Sequence, residues 1–167
     1  MRRRCHLAQI NVARARAPID DPLMADFVAR LDEINALAES SPGFVWRLKD
    51  DHATVVQAYP EETMLVNVSV WETPEDLHRF VYRSAHRAVL RRKKEWFEKP
   101  VDAHLALWWI APDHIPTIDE AKERLAYLQH YGESEFAFSF ATLLAARGAD
   151  GSPLLTMPPV LDACGAD

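Results

Sequence analysis

Polar and apolar positions alternate most cleanly over Leu65–Trp71, where Val66, Val68 and Val70 are interleaved with Asn67 and Ser69. That period of two marks a strand with unlike faces. His6 to Val12 alternates in the same way, Phe44 to Leu48 reads as a second strand, and His104 to Ile110, with LALWWI at its heart, as another. A further short strand is expected over Thr54 to Tyr59, ended by Pro60-Glu61-Glu62. Between the first two strands, Asp20-Asp21-Pro22 is a helix start. Met24, Phe27, Val28, Leu31, Ile34 and Ala38 then recur at helical spacing until Ser41-Pro42-Gly43.

Trp71 leads directly into Thr73-Pro74-Glu75-Asp76, a capping signature with Pro at the first helical position. Leu77, Phe80, Val81, Ser84 and Ala88 would share one face of a continuous helix, which would point His86 to solvent. His86, Val89, Leu90, Lys93 and Phe97 form a stripe of their own, with Trp96 beside it. That phase change predicts a break near Ser84-Ala85, and the break decides whether His86 faces a cavity. Thr117 with Glu120 opens another helix through Ile118, Ala121, Leu125 and Leu128 to Gly132. The alternation of Phe136, Phe138 and Phe140 suggests an edge strand or an arm over a neighbouring surface. The expected organisation is one domain over residues 1–147 and a poorly structured tail over 148–167, rich in Gly and Pro.

Composition narrows the partners. Apolar residues are 49% and charged residues 26% of 167, ordinary for one globular domain. A formal charge of −6 argues against nucleic acid, and Arg91-Arg92-Lys93-Lys94 reads as a solvated helix face. No stretch approaches the roughly 20 apolar residues of a membrane span, and MRRRC has no apolar run behind it. A cytoplasmic protein is expected. Cys5 and Cys164 lack metal-type spacing; a disulfide between them is open, and a reduced chain is the simpler reading. Neither a nucleophile triad, a Gly-rich phosphate loop nor a zinc spacing is present in the sequence, so no metal and no cofactor is expected.

The order strand, helix, strand, strand, helix, strand, then an extra C-terminal helix, describes an α+β ferredoxin-like sandwich: a four-stranded antiparallel sheet with helices on one face. The stretches HLAQINVA at the start, PGFVWRL at 42–48, NVSVWETPEDLHRFVY at 67–82, RRKKEWF at 91–97, LWWIAPDHIPTIDEAKERLAYL at 107–128 and AFSF at 137–140 resemble the DUF3291 family. The resemblance spans roughly Cys5 to Phe140. It implies a dimeric α/β barrel, a homodimer whose sheets face each other, in a group that includes antibiotic-biosynthesis-monooxygenase-like proteins. Cofactor-free oxygenases, isomerases, polyketide cyclases and haem-degrading enzymes share that group, so the fold does not choose among them.

Strand parity predicts which residues line a barrel cavity. The uniformly apolar Val66, Val68 and Val70 are expected to pack on the helices, as are Phe44, Trp46, Leu48, Leu105, Leu107 and Trp109. The opposite wall would be Gln9, Asn11, Arg47, Asn67, Ser69, Trp71, His104 and Trp108. Such a polar wall is either ligand-facing or a hydrated dimer interface. Arg47 would orient a carboxylate or enolate, or form a salt bridge with Asp50 or Glu72. His86 would serve as a general base or haem ligand, or be structural; His104 carries the same alternatives. Trp96-Phe97 and Trp108-Trp109 suit a core or interface better than a substrate platform.

Three functions fit. The first is a cofactor-independent monooxygenase or isomerase/cyclase acting on a hydrophobic aromatic or polyketide-like molecule. Asn11, Asn67 and Arg47 would hold substrate oxygens, His86 or His104 would move a proton, and Trp71 and Trp108 would shape the pocket. The second is haem binding or degradation, which the resemblance suggests through Asn11, Phe80 and His86; it departs in having Phe80 where those relatives carry Trp. The third is a non-catalytic ligand-binding or interaction dimer.

Overall fold

A computed structural model describes residues 5–50 and 55–145. Four strands, β1 (His6–Arg14), β2 (Phe44–Arg47), β3 (Met64–Trp71) and β4 (Leu105–Ile110), form one antiparallel sheet in the order β2-β3-β1-β4. The helices are α1 (Ala25–Ser40), α2 (Pro74–Arg83), α3 (His86–Trp96), α4 (Ile118–Tyr131) and the short α5 (Phe140–Ala145). This is the ferredoxin-like α+β arrangement that the order of elements predicts. The expected strand near Thr54–Tyr59 is absent: residues 55–59 are irregular, and 51–54 lie outside the described residues.

Local signals place the helix boundaries. Asp21 accepts from the Leu23 amide and opens a short 3-10 turn, Pro22–Met24, that runs into α1. Thr73 and Thr117 cap α2 and α4 through Oγ1, each accepting from the amide three residues on. The break between α2 and α3 falls at Ser84, whose backbone is extended (ψ −179°). Its hydroxyl donates to the Phe80 carbonyl and accepts from the His86 amide at 3.1 Å, satisfying groups at the end of one helix and the start of the next.

Two layers cover the sheet: Phe44, Leu105, Leu107 and Trp109 pack with α1 and α2 as parity suggested, whereas Val66, Val68 and Val70, with Trp46 and Leu48, lie on the other side. The even face, with Ala8, Ile10, Val12, Val68, Val70, Ala106, Trp108 and Ile110, packs against Ala121, Leu125 and Leu128 of α4. The crossover helices α1, α2 and α3 lie on the odd face, the one that carries Gln9, Asn11, Asn67, Ser69 and Trp71. The expectation that the uniformly apolar side meets the crossover helices is therefore corrected. That side is apolar where α4 packs on it, over β1 and β4, and its Met64 and Val66 on β3 stay only partly buried.

A bulge between Phe44 and Trp46 divides β2 between the faces. Phe44 pairs with Trp71 and packs with the crossover helices, whereas Trp46 and Leu48 pack on the α4 side. After α4 the chain wraps the free edge of β4, where Leu107 and Phe138 exchange backbone hydrogen bonds of 2.7 and 2.9 Å. The anticipated arm is thus a single bridge, after which Phe140 and Leu143 of α5 join the odd-face core. The expected tail over 148–167, and Cys164 with any pairing of Cys5, lie outside the described residues. Cys5 itself is buried.

Candidate functional site between the sheet and the crossover helices

The odd face is sealed at its two ends and not in its middle. At one end Leu7, Trp71, Leu107 and Trp109 pack with Ala38 of α1, Leu77 of α2 and the α5 residues. At the other, Ala15, Leu65, Met24 and Trp96 gather Phe27 and Val28 of α1 and Val89 of α3. Between these clusters β1 and β3 place two polar cross-strand pairs, Gln9 opposite Ser69 and Asn11 opposite Asn67. Above them the middle of α1 is loosely held. Leu31 and Ile34 are only partly buried and join none of the three apolar clusters. Asn67 is exposed although β3 is an interior strand. This polar strip between the two clusters, with Asn67 reaching solvent, is the candidate cleft, and its floor is polar.

The floor has a fixed part and a free part. Gln9 Nε2 and Trp71 Nε1 both donate to Ser69 Oγ at 2.9 Å, and all three residues are buried. This network leaves no buried donor of the two unpaired. Asn11 and Asn67, by contrast, make no side-chain hydrogen bond among the described residues. Two amides stand face to face with both donors and acceptors available to a ligand.

Aromatic rings connect the floor to α3. Phe80 stacks on Trp71 with centroids 5.2 Å apart and an interplanar angle of 24°, and His86 lies 5.0 Å from Phe80. Burial of the His86 imidazole holds its pKa below the ordinary value, and its Nδ1 stands 3.4 Å from the Val81 carbonyl, which pulls weakly the other way. A neutral ring with Nδ1–H toward that carbonyl carries its lone pair on Nε2. The pKa of His104 is also held low, first by burial and then by the charge of Lys93 on α3, but His104 continues the β4 register opposite Val12 of the even face, so it is corrected out of the predicted polar wall.

Other predicted residues are placed elsewhere. Trp108 is on the even face, fully buried, and donates from Nε1 to Glu120 Oε1 of α4 at 3.0 Å. It is not part of the polar wall, which is a correction: its parity partner on β1 is Ala8, not Gln9 or Asn11. Arg47 does share the odd face, beside Ser69. Its Nε is held at 2.7 Å by Glu39 at the end of α1, a partner different from the Asp50 or Glu72 anticipated. Trp96 is core, and Arg92 crosses its ring at 4.8 Å while bridging to Asp26 and Glu95. Helical spacing predicted Leu31 and Ile34 in the buried stripe of α1, whereas both are only partly buried.

An α+β protein with a ferredoxin-like sheet, one face of which carries paired amides between two apolar clusters, is the class that fold and candidate site define. The chain matches the family described as "Domain of unknown function (DUF3291)" over residues 6–152, and it belongs to that family. No curated protein matches it. Solved structures similar to it include SnoaB, a cofactor-independent oxygenase from Streptomyces nogalater, at 13% identity and a TM-score of 0.46, covering 62% of this chain and 91% of that one. A conserved protein from Methanosarcina mazei Go1 is 12% identical with a TM-score of 0.48, covering 64% and 94%. PA3566 from Pseudomonas aeruginosa is 14% identical with a TM-score of 0.42, covering 64% and 93%. No helix among the described residues is long and apolar enough to cross a membrane.

Proposed function

We propose that the cleft binds a flat aromatic or polyketide-like molecule carrying an acidic C–H next to a carbonyl or phenol, and that the protein oxygenates it without a cofactor. The observation that carries this reading is the free Asn11–Asn67 pair beneath a loosely packed α1, next to the Trp71–Phe80–His86 stack. Amide donors aimed at one place stabilise negative charge as it develops on a substrate oxygen. The neutral His86 takes the proton through Nε2, leaving a conjugated carbanion. In oxygenation the carbanion passes an electron to O2, and the radical pair recombines into a C–O bond. His86 returns its proton to the peroxide; loss of the second C–H then breaks the O–O bond. The CH2 becomes C=O, one oxygen atom leaves as water, and all electrons come from the substrate.

The same proton transfer without O2 gives an isomerase or cyclase. The protein is read as a cytoplasmic homodimer in either case. Haem is the less favoured ligand, because Phe80 stands between Trp71 and His86 and fills that place with the chain's own ring. Arg47, being held by Glu39, is read as a positioning residue for α1 and β2 and not as a substrate clamp.

A melting-shift screen of phenols, quinones and anthrones, followed by oxygen-electrode assays on the binders, tests the reading. Binding with O2 uptake that Asn67→Ala reduces supports oxygenation, and binding with product formation under argon supports the isomerase form. Binding without turnover leaves a ligand-binding protein, and a Soret band on adding haemin would replace this reading with haem.

A further inference from the structure

Cys5, the residue before β1, is 6% exposed and packs in one apolar cluster with Leu77 of α2 and with Phe140 and Leu143 of α5. It is disulfide-bonded, and no free cysteine occurs among the described residues. The sequence holds one other cysteine, Cys164. A cysteine enclosed in this way is closed to a bulky partner molecule, whereas the chain that leaves α5 at Ala145 starts from the same cluster. Twenty residues, 144–163, separate Leu143 from Cys164. At roughly 3.3 Å per extended residue they reach out and return with length to spare.

Beside that cluster, α2 and α5 bring three rings together. His78 and Tyr82, one turn apart on α2, have ring centroids 4.7 Å apart, and Phe140 meets them edge-on at 6.2 and 6.0 Å. Tyr82 is 43% exposed, although its ring lies against the other two. The segment beyond α5 carries apolar residues to match, PLLTMPPVL over 153–161. Prolines hold such a stretch extended, which lowers the entropy lost when it lies along a surface.

We propose that Cys5 and Cys164 form an intrachain disulfide, and that this bond straps the PLLTMPPVL segment across the His78–Tyr82–Phe140 rings. Both ends of the strap are then anchored at one cluster, Leu143 by packing and Cys164 by the bond. The bond forms by exchange with glutathione disulfide. The Cys164 thiolate attacks first, since Cys5 is buried, and releases one glutathione; the Cys5 thiolate then displaces the second. Two electrons and two thiol protons pass from the protein to the glutathione pair. In a reducing compartment the strap is released, so its closure follows the thiol–disulfide balance.

Alkylation of the full chain in denaturant, after incubation with glutathione disulfide or with dithiothreitol, counts the free thiols. The oxidised chain is expected to take up no label, run as a single chain on a non-reducing gel and yield a peptide pair joining Cys5 to Cys164. The reduced chain is expected to take up two labels, one for each cysteine. Cleavage by trypsin after Arg147 is expected to be at least about tenfold slower in the oxidised chain, because a docked strap is closed to protease. Tyr82→Ala is expected to keep the linked peptides and lose most of that protection, and Cys164→Ser to lose both. Two labels after oxidation, or a covalent dimer, overturns the pairing. Equal cleavage of the oxidised and reduced chains, with the linked peptides present, overturns the docking of the strap on the rings.

Discussion

Ser69 shows how much of the site depends on a single hydroxyl. It receives hydrogen bonds from Gln9 and Trp71, and nothing else in the described structure takes those two buried donors. Ser69→Ala orphans both and is expected to destabilise the fold by about 2–4 kcal/mol in urea denaturation. Asn67, exposed and without hydrogen bonds, is expected to be nearly neutral for stability. The two depressed imidazoles make a second prediction. His86 and His104 are held below the ordinary value of 6.5 by burial. The unfolded chain takes up their protons first, so their contribution is complete above that value and is lost as pH falls from it toward the lower folded-state values. Urea midpoints measured from about pH 8 down to about pH 5 are expected to fall, and less steeply in His86→Gln.

At the scale of elements, the break at Ser84 decides the orientation of His86. The Ser84 hydroxyl bonds the Phe80 carbonyl and the His86 amide at once, joining two helices whose inward stripes differ in phase. Ser84→Ala removes the link and favours a continuous helix. The His86 pKa, followed by NMR, is expected to rise toward its ordinary value as the ring turns outward. This break was legible in the sequence because two apolar stripes cannot share one helical phase. The caps at Asp21, Thr73 and Thr117 were legible for similar local reasons. The bulge in β2 was not, since neither a Gly nor a charge marks Val45. The face of the β3 valines was misread for a physical reason: an apolar face can be met by a helix that follows the four-stranded unit as well as by the crossover helices. Here α4 packs on the β1–β4 half of one side, while the apolar clusters of the crossover helices lie toward the ends of the other. The grouping of Gln9, Asn11, Asn67, Ser69 and Trp71 on one face was nevertheless readable from period two alone. That Trp108 lies apart was readable only from the register of β4 against β1.

For the whole molecule, α4 changes what a sheet-to-sheet dimer would look like. It covers the even face mainly over β1 and β4. Trp46, Leu48, Met64 and Val66, on the β2–β3 half, stay only partly buried. A second copy seated there would bury them, and sedimentation is expected to show a dimer that Trp46→Glu dissociates. A monomer in the unsubstituted protein would remove the barrel interface while leaving the cleft reading intact, because Asn11, Asn67, Trp71, Phe80 and His86 all belong to one chain.

The cleft is the central claim, and filling it is the direct test. Asn67→Trp puts a large ring over the polar floor at an exposed position, where the fold tolerates it. Titration calorimetry with the best aromatic binder of the unsubstituted protein is expected to show binding lost in Asn67→Trp, with its melting temperature in the absence of ligand preserved. Unchanged affinity in that variant would place the ligand elsewhere and contradict the account.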